Sequence, residues 1–325
     1  MAKKMVVILG PTASGKSTLA VNIAKKFSAL GGPALGWNGA EVISADSRQV
    51  YKGMDVGTGK ITKKEMRGVP HHLLDVASPK RIFTVTQYRA LALKAINKIL
   101  KKGKLPILCG GTGFYIQAVV DGIVIPAVKP DWKLRTKLER LTTEQLFEKL
   151  KKIDPKRAKI IDRNNRRRLV RALEIILKTK KPIPALKKNP LPYPILIIGV
   201  KKEKGELKKL ISERLEKRLK QGMVEEVKKL RESGLSWERL KGFGLEYRYI
   251  ARYLKTTKDF RNPLRFERIS EIPKSVNFEK SDFFNRLQKE IEHYAKRQMT
   301  WFKRDQRIHW IKKQPEAEKL VKKFL

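Results

Sequence analysis

The sequence predicts an α/β fold, a parallel sheet flanked by helices and interrupted by an all-helical insertion, and three observations carry that expectation. A glycine-rich loop joins a short apolar run to a helical pattern at the N-terminus. Further short apolar runs then alternate with helix-period segments, the arrangement that builds parallel sheets. After Pro126 strand-like runs vanish until a cluster of prolines near residue 190. The expected division is a core of residues 1–126 and 190–325 with a helical insertion at 127–189.

Met5 to Leu9 reads as a buried strand, and from Ser17 the apolar residues Leu19, Ile23 and Phe27 fall on one helix face. Gly31, Gly32, Pro33 and Gly36 mark a loop. Glu41 to Ala45 and Leu105 to Cys109 read as further strands. Between them, Thr84 and Gln87 form a capping box ahead of Tyr88, Leu91, Ala95 and Ile99, and Lys101-Lys-Gly103 closes that helix. Residues 127–189 are helical in period and rich in Lys and Arg. Tyr193 to Val200 returns as a strand, 201–255 as amphipathic helices, and His293 to Lys303 as another helix. The stretch 256–280 has weak periodicity and reads as a loop or elaboration.

Lys and Arg total 75 against 32 acidic residues, a formal net charge of +43 over 325 residues. A field of that sign attracts polyanions. It would also suit adaptation to an unusual milieu or general solubility, and it does not separate RNA from DNA or from an anionic membrane surface. Cys109 is the single cysteine, so an internal disulfide and a cysteine-built zinc site are both excluded. The N-terminal apolar run is too short for a signal peptide, and no run approaches the ~20 residues needed to cross a bilayer. A cytoplasmic, monomeric enzyme without membrane contact is expected.

Gly10-Pro11-Thr12-Ala13-Ser14-Gly15-Lys16-Ser17 fits the phosphate-binding pattern G-x-x-x-x-G-K-[ST], after a strand and opening a helix. Its backbone N–H groups and the helix N-terminus can surround phosphate oxygens. Lys16 adds a point charge, and the Ser17 hydroxyl is placed to ligate Mg²⁺. The core is therefore P-loop NTPase-like. The loop alone does not say what happens to the phosphates, since kinases, ATPases and transferases with a diphosphate leaving group all use one. Asp46 after the second strand and Thr112 after the third should converge on the same crevice, because ligands of open parallel sheets sit beyond the carboxyl ends of strands. Asp46 could there be a metal ligand, a base or a helix cap.

The phosphate loop, Ser44-Ala-Asp-Ser-Arg-Gln-Val-Tyr-Lys-Gly53 with Met54-Asp-Val-Gly-Thr58, His71-His-Leu-Leu-Asp75 and Gly110-Gly-Thr112 together resemble tRNA dimethylallyltransferases. So do Arg167-Arg-Leu-Val-Arg-Ala-Leu-Glu174 and Ala295-Lys-Arg-Gln-Met-Thr-Trp-Phe302, and the likeness runs in order along nearly the whole chain. The resemblance implies transfer of a dimethylallyl group from its diphosphate to N6 of the adenosine 3′-adjacent to the anticodon. It implies Asp46 as the base, Thr112 as its orienting hydroxyl, Mg²⁺ as cofactor, and Arg214 and Arg218 closing over the diphosphate beside residues 10–17. That arginine pair, four apart on one helix face, would also suit a solvated surface among lysines. An adenine amine has a delocalised lone pair, so a base must take its proton as the C–N bond forms.

Ser47, Arg48 and Gln49, adjacent in sequence to Asp46, are well placed with Asp46 and Thr112 to meet the extruded base. Arg135, Arg167, Arg168, Leu169, Val170 and Arg171 on the insertion match positions that approach the tRNA anticodon stem-loop. Lys296, Arg297 and Gln298 match an RNA channel, whereas Trp301 on the same helix also suits core packing. Where many relatives carry a compact Gly-Tyr-Arg, this chain has Phe243-Gly-Leu-Glu-Tyr-Arg248, which leaves Tyr247 and Arg248 without an assigned role. The rival readings are an adenylate isopentenyltransferase, which would not need a basic insertion, and a P-loop small-molecule kinase. A nucleic-acid-binding ATPase would show an acidic Walker B strand, which the sequence lacks.

Overall fold

A computed structural model describes residues 3–29, 37–123, 128–184, 187–256 and 282–325. The glycine-rich loop expected at 31–36 and the stretch expected irregular at 256–280 lie outside the described residues, except for Thr256. The first half of the core runs β1 (Met5–Leu9), α1 (Lys16–Ala29), β2 (Ala40–Ser44), α2 (Lys63–Met66), β3 (His71–His72), α3 (Val85–Lys101), β4 (Leu105–Gly110) and α4 (Gly113–Val120). The helical segment supplies α5 (Trp132–Leu138), α6 (Thr143–Ile153), α7 (Pro155–Ile160) and α8 (Arg166–Thr179). The chain then continues through β5 (Ile195–Val200), α9 (Lys204–Lys220), α10 (Met223–Glu232), α11 (Trp237–Phe243), α12 (Leu245–Thr256), α13 (Asp282–Phe302), β6 (Ile308–Ile311) and α14 (Gln314–Phe324).

Among the described residues the sheet has six strands in the order β3-β2-β4-β1-β5-β6, every neighbouring pair parallel. Alternation along β1 explains why both faces are covered. Met5, Val7 and Leu9 enter one apolar cluster with α3, α4 and α9 to α13, while Val6 and Ile8 enter the other with α1 and α14. A strand buried on both faces must be apolar throughout, as Met-Val-Val-Ile-Leu is. Each such buried side chain contributes ~1.5–3 kcal/mol.

The α3 capping box forms as expected: the Thr84 hydroxyl accepts from Gln87 N, and the Gln87 amide accepts from Thr84 N at 2.9 Å. The C-terminal elements differ from expectation. The helix expected at His293 to Lys303 is the end of the much longer α13, and β6 with α14 follows it unforeseen. In β6 only the two ends of Ile-His-Trp-Ile are buried, Ile308 in one apolar cluster and Ile311 in the cluster on the opposite face of the sheet.

The chain separates into two compact units, residues 1–120 with 191–325, and Asp121–Pro190. The insertion thus begins at Asp121 rather than 127 and ends at Pro190. The smaller unit packs α5 to α8 around Leu138, Leu146, Leu150, Leu169, Leu173 and Ile176. Asp154 turns its chain sharply: one carboxylate oxygen caps α7 through Arg157 N at 2.9 Å and the other accepts from Ile183 N at 3.0 Å.

In the larger unit, β1, β4 and β2 are adjacent, and the segments following all three open at the same edge. Gly110 allows the closest approach there, since a Cβ would lie 2.2 Å from the Ala45 carbonyl oxygen.

Candidate active site

The phosphate loop leaves β1 at Gly10. Ala13 and Gly15 both take left-handed backbone, at φ 61° and 83°, which alternates the peptide orientation and gathers N–H groups into a concavity. Lys16 opens α1, and its ammonium donates to Pro11 O at 3.1 Å, folding the side chain back over the loop. The Ser14 hydroxyl is buried with no hydrogen-bond partner among the described residues. Desolvation, with the nearby Arg214 guanidinium second, lowers the Lys16 pKa to about 8. A cation held down in this way gains most when an anion arrives.

Asp46 follows β2 as a local cap. Its Oδ1 accepts from Arg48 N at 2.8 Å and Gln49 N at 3.3 Å, and Oδ2 has no hydrogen bond among the described residues. Thr112, at the head of α4, holds the same turn from outside. Its Oγ1 accepts from Ser47 N at 3.0 Å, and its own N–H donates to Ala45 O at 3.1 Å. Thr112 therefore orients Asp46 through Ser47 and the backbone; no direct hydrogen bond joins the two side chains.

One cavity of about 480 Å³ is lined by Lys16, Ser17, Asp46, Thr112, Arg214 and Arg218 together. The anion cradle and the carboxylate share a chamber, as the sequence required. Ser47, Arg48, Gln49, Thr12, Arg297 and Gln298 also line it. A neighbouring cavity of about 730 Å³ shares Lys16, Ser17, Arg214 and Arg218, so these four stand where the two spaces meet.

Arg214 and Arg218 project from α9 and are not a solvated face. Arg218 is 7% exposed and pairs with the equally buried Glu246 at 2.8 Å, while its Nε lacks a partner. Arg214 donates to Gly59 O at 3.2 Å, and desolvation followed by the Arg218 charge lowers its pKa to about 10.

The expected RNA contacts divide. Lys296 and Arg297 are exposed on α13, and Arg297 lies 5.9 Å from the Tyr294 ring centroid. Gln298 is instead turned inward: it accepts from Thr12 N at 2.9 Å and donates to Gly111 O at 2.8 Å, tying the phosphate loop to the β4 loop. In the smaller unit Arg167 and Arg168 are exposed, but Leu169 and Val170 are buried in its apolar core, so their side chains are not presented to a ligand. Arg135 and Arg171 are likewise committed to the protein, both pairing with Glu174, whose side chain is fully buried.

Sequence reasoning missed much of the cavity wall. Tyr294, Phe114 and Phe243 line it, the last with the Arg48 guanidinium 6.0 Å from its ring centroid. Tyr247 and Arg248, left without a role, line it too. Trp301 packs on the core, as its spacing suits, and also lines the cavity. Aromatic residues at helical spacing look like core in a sequence, and only the crossing of α13 over α4 shows otherwise.

The fold and this chamber define a class, a P-loop enzyme with a carboxylate facing its anion cradle. A family model described as IPP transferase matches residues 49–305. A tRNA dimethylallyltransferase of Acetivibrio thermocellus is 38% identical, covering 98% of this chain and 95% of its own, and one of a Thermoanaerobacter species is 39% identical over 100% and 98%. Among solved structures, a tRNA isopentenylpyrophosphate transferase of Bacillus halodurans is similar with a TM-score of 0.66 and 33% identity, covering 99% and 96%. A eukaryotic dimethylallyltransferase acting on tRNA is similar at 0.69 and 26% identity, covering 93% of this chain and 70% of that one. The chain belongs to the IPP transferase family and is a transferase.

Proposed function

We propose that this protein transfers the dimethylallyl group of dimethylallyl diphosphate to N6 of the adenosine 3′-adjacent to the anticodon of tRNA. The observation that carries the reading is the single chamber lined by Lys16, Arg214 and Arg218 on one side and Asp46 on the other. The relatives named tRNA dimethylallyltransferase cover essentially the whole chain, smaller unit included.

The chemistry follows from the residues. N6 attacks the allylic carbon, a C–N bond forms, the C–O bond to diphosphate breaks, and the amine proton passes to Asp46. Oδ1 is fixed by two backbone N–H donors, which leaves Oδ2 to receive that proton. Lys16, Arg214, Arg218 and the loop N–H groups take up the charge that develops on the leaving oxygen. Because these donors are in place beforehand, little reorganisation accompanies bond cleavage.

Mg²⁺ fits the donor set. Among the described residues no cluster of three His, Cys, Asp or Glu side chains forms a cage. Ser17 lines both cavities, and Mg²⁺ beside a diphosphate is held by few protein groups and several waters. Bound there, it would neutralise diphosphate charge. No helix among the described residues is long and apolar enough to cross a membrane.

The test is to incubate the protein with unmodified tRNA, Mg²⁺ and dimethylallyl diphosphate and to analyse nucleosides by mass spectrometry. Prenylated adenosine in tRNA is expected. Prenylation of free adenylate alone, or phosphate transfer from ATP, would replace the reading with one of its rivals.

A further inference from the structure

Beside the chamber, the N–H groups of three successive residues converge on one carboxylate. Asp55 N and Val56 N donate to Glu226 Oε2, each at 2.7 Å, and Gly57 N donates to Oε1 at 3.0 Å. The Tyr247 hydroxyl adds a fourth hydrogen bond to Oε1 at 2.6 Å. Tyr247 is 2% exposed and lies flush against the segment, since a Cβ on Gly57 would sit 2.8 Å from its ring. Successive N–H groups of this kind form an anion site, here filled by a side chain of α10.

Two carbonyls of the same segment face α9. Gly57 O accepts from Arg218 Nη1 at 3.4 Å, and Gly59 O accepts from Arg214 at 3.2 Å. Gln49, next to the Asp46 turn, also donates to Gly59 O at 3.2 Å. At Gly59 the backbone is left-handed at φ 57°, and a Cβ would fall 1.8 Å from Arg218 Nη2, so the arginines lie directly on the chain. Residues 55–59 are thus a polar strap, anchored by its amides and gripping two arginines with its carbonyls.

Two cations lie beside Lys16 and beside each other: Lys16 is lowered by burial first and by the Arg214 charge second, and Arg214 by burial first and by the Arg218 charge second. Without an opposing anion the arginines would drift toward solvent. Glu246 restrains Arg218, but among the described residues the hydrogen bond that holds Arg214 comes from the strap. We infer that Glu226 is a positioning residue: its carboxylate sets the 55–59 strap so that Gly57 and Gly59 hold Arg218 and Arg214 over the phosphate loop before a diphosphate binds. Glu226 itself reaches no reacting atom and does not line the chamber.

The inference rests on the diphosphate-binding reading of the site, and the experiment separates the two. Glu226→Gln keeps the size and replaces one acceptor oxygen by a donor, so at least one strap N–H faces an N–H₂ group. In the full-length protein we expect the KM for dimethylallyl diphosphate to rise about tenfold, kcat to fall less than about threefold, and tRNA affinity to stay within about twofold. Tyr247→Phe, which removes one hydrogen bond and leaves the strap amides paired, should give a smaller KM rise in the same direction. Calorimetric titration of inorganic diphosphate reads the same loss without any turnover. If wild type binds diphosphate but transfers no prenyl group, the functional reading fails while the positioning claim is still decided by the calorimetry. Unaltered diphosphate affinity in Glu226→Gln, or equal loss of diphosphate and tRNA affinity with a lowered melting temperature, would overturn the inference.

Discussion

Raising the pH from 7 to 9 should weaken binding of the diphosphate donor while stabilising the free protein. Lys16 carries both effects. Its pKa in the free protein is about 8, lowered from 10.5 by desolvation and then by Arg214. Between pH 7 and 9 the charged fraction drops from about nine-tenths to about one-tenth, so donor affinity falls about tenfold if only the charged form binds well. The sign for stability is opposite. A lysine whose folded value lies below its unfolded one binds the proton more tightly when unfolded, so stability rises as pH climbs from about 8 toward 10.5. The full gap corresponds to at most about 3 kcal/mol. Between pH 7 and 9 the other shifted groups of the chamber change little: burial pushes Cys109 up to about 11, and Arg214, lowered to about 10 by burial and then by Arg218, stays mostly charged. The assay is the KM for dimethylallyl diphosphate at pH 7, 8 and 9, with Lys16→Met as the control for the donor's own ionisation. A flat wild-type KM, or the same slope in Lys16→Met, would refute the reasoning.

Three further outcomes follow from where charge is placed, two from buried pairs and one from an exposed pair. Glu246→Gln strands Arg218 in a site already holding Lys16 and Arg214, and should cost about 3 kcal/mol in urea unfolding, partly recovered by added diphosphate. Glu174→Gln leaves Arg135 and Arg171 without their shared carboxylate at a fully buried position, so the smaller unit should become the first segment cut in limited proteolysis. Arg167→Ala with Arg168→Ala should leave stability unchanged, weaken tRNA binding, and flatten its dependence on salt by about one to two phosphate contacts.

Legibility in the sequence tracked how local the determinant was. The phosphate loop, the α3 capping box and the β1 strand are set by residues within a few positions of one another, and each stood out. The shared chamber could be argued as well, because a parallel sheet places its loops at one edge. Glu174 illustrates what could not be read. Arg135 and Arg171 looked like free cations for RNA, and nothing in the sequence says that a glutamate on α8 takes both. Gln298 bridges Thr12 and Gly111 across most of the chain, a contact made only when α13 crosses the sheet edge. The strand β6 escaped notice because His309 breaks its apolar run. Glu226 gave no signal either, since its partners are backbone N–H groups, which any sequence possesses.

The division of labour inside the chamber can be measured directly by single-turnover prenyl transfer with Asp46→Asn. Asparagine keeps an Oδ1 to accept from Arg48 N and Gln49 N, so the turn survives while the proton acceptor is lost. The transfer rate is predicted to fall about 10²- to 10⁴-fold with the affinities for tRNA and diphosphate nearly intact. A rate close to wild type, or a loss explained entirely by weaker tRNA binding, would contradict the assignment of Asp46 as the base.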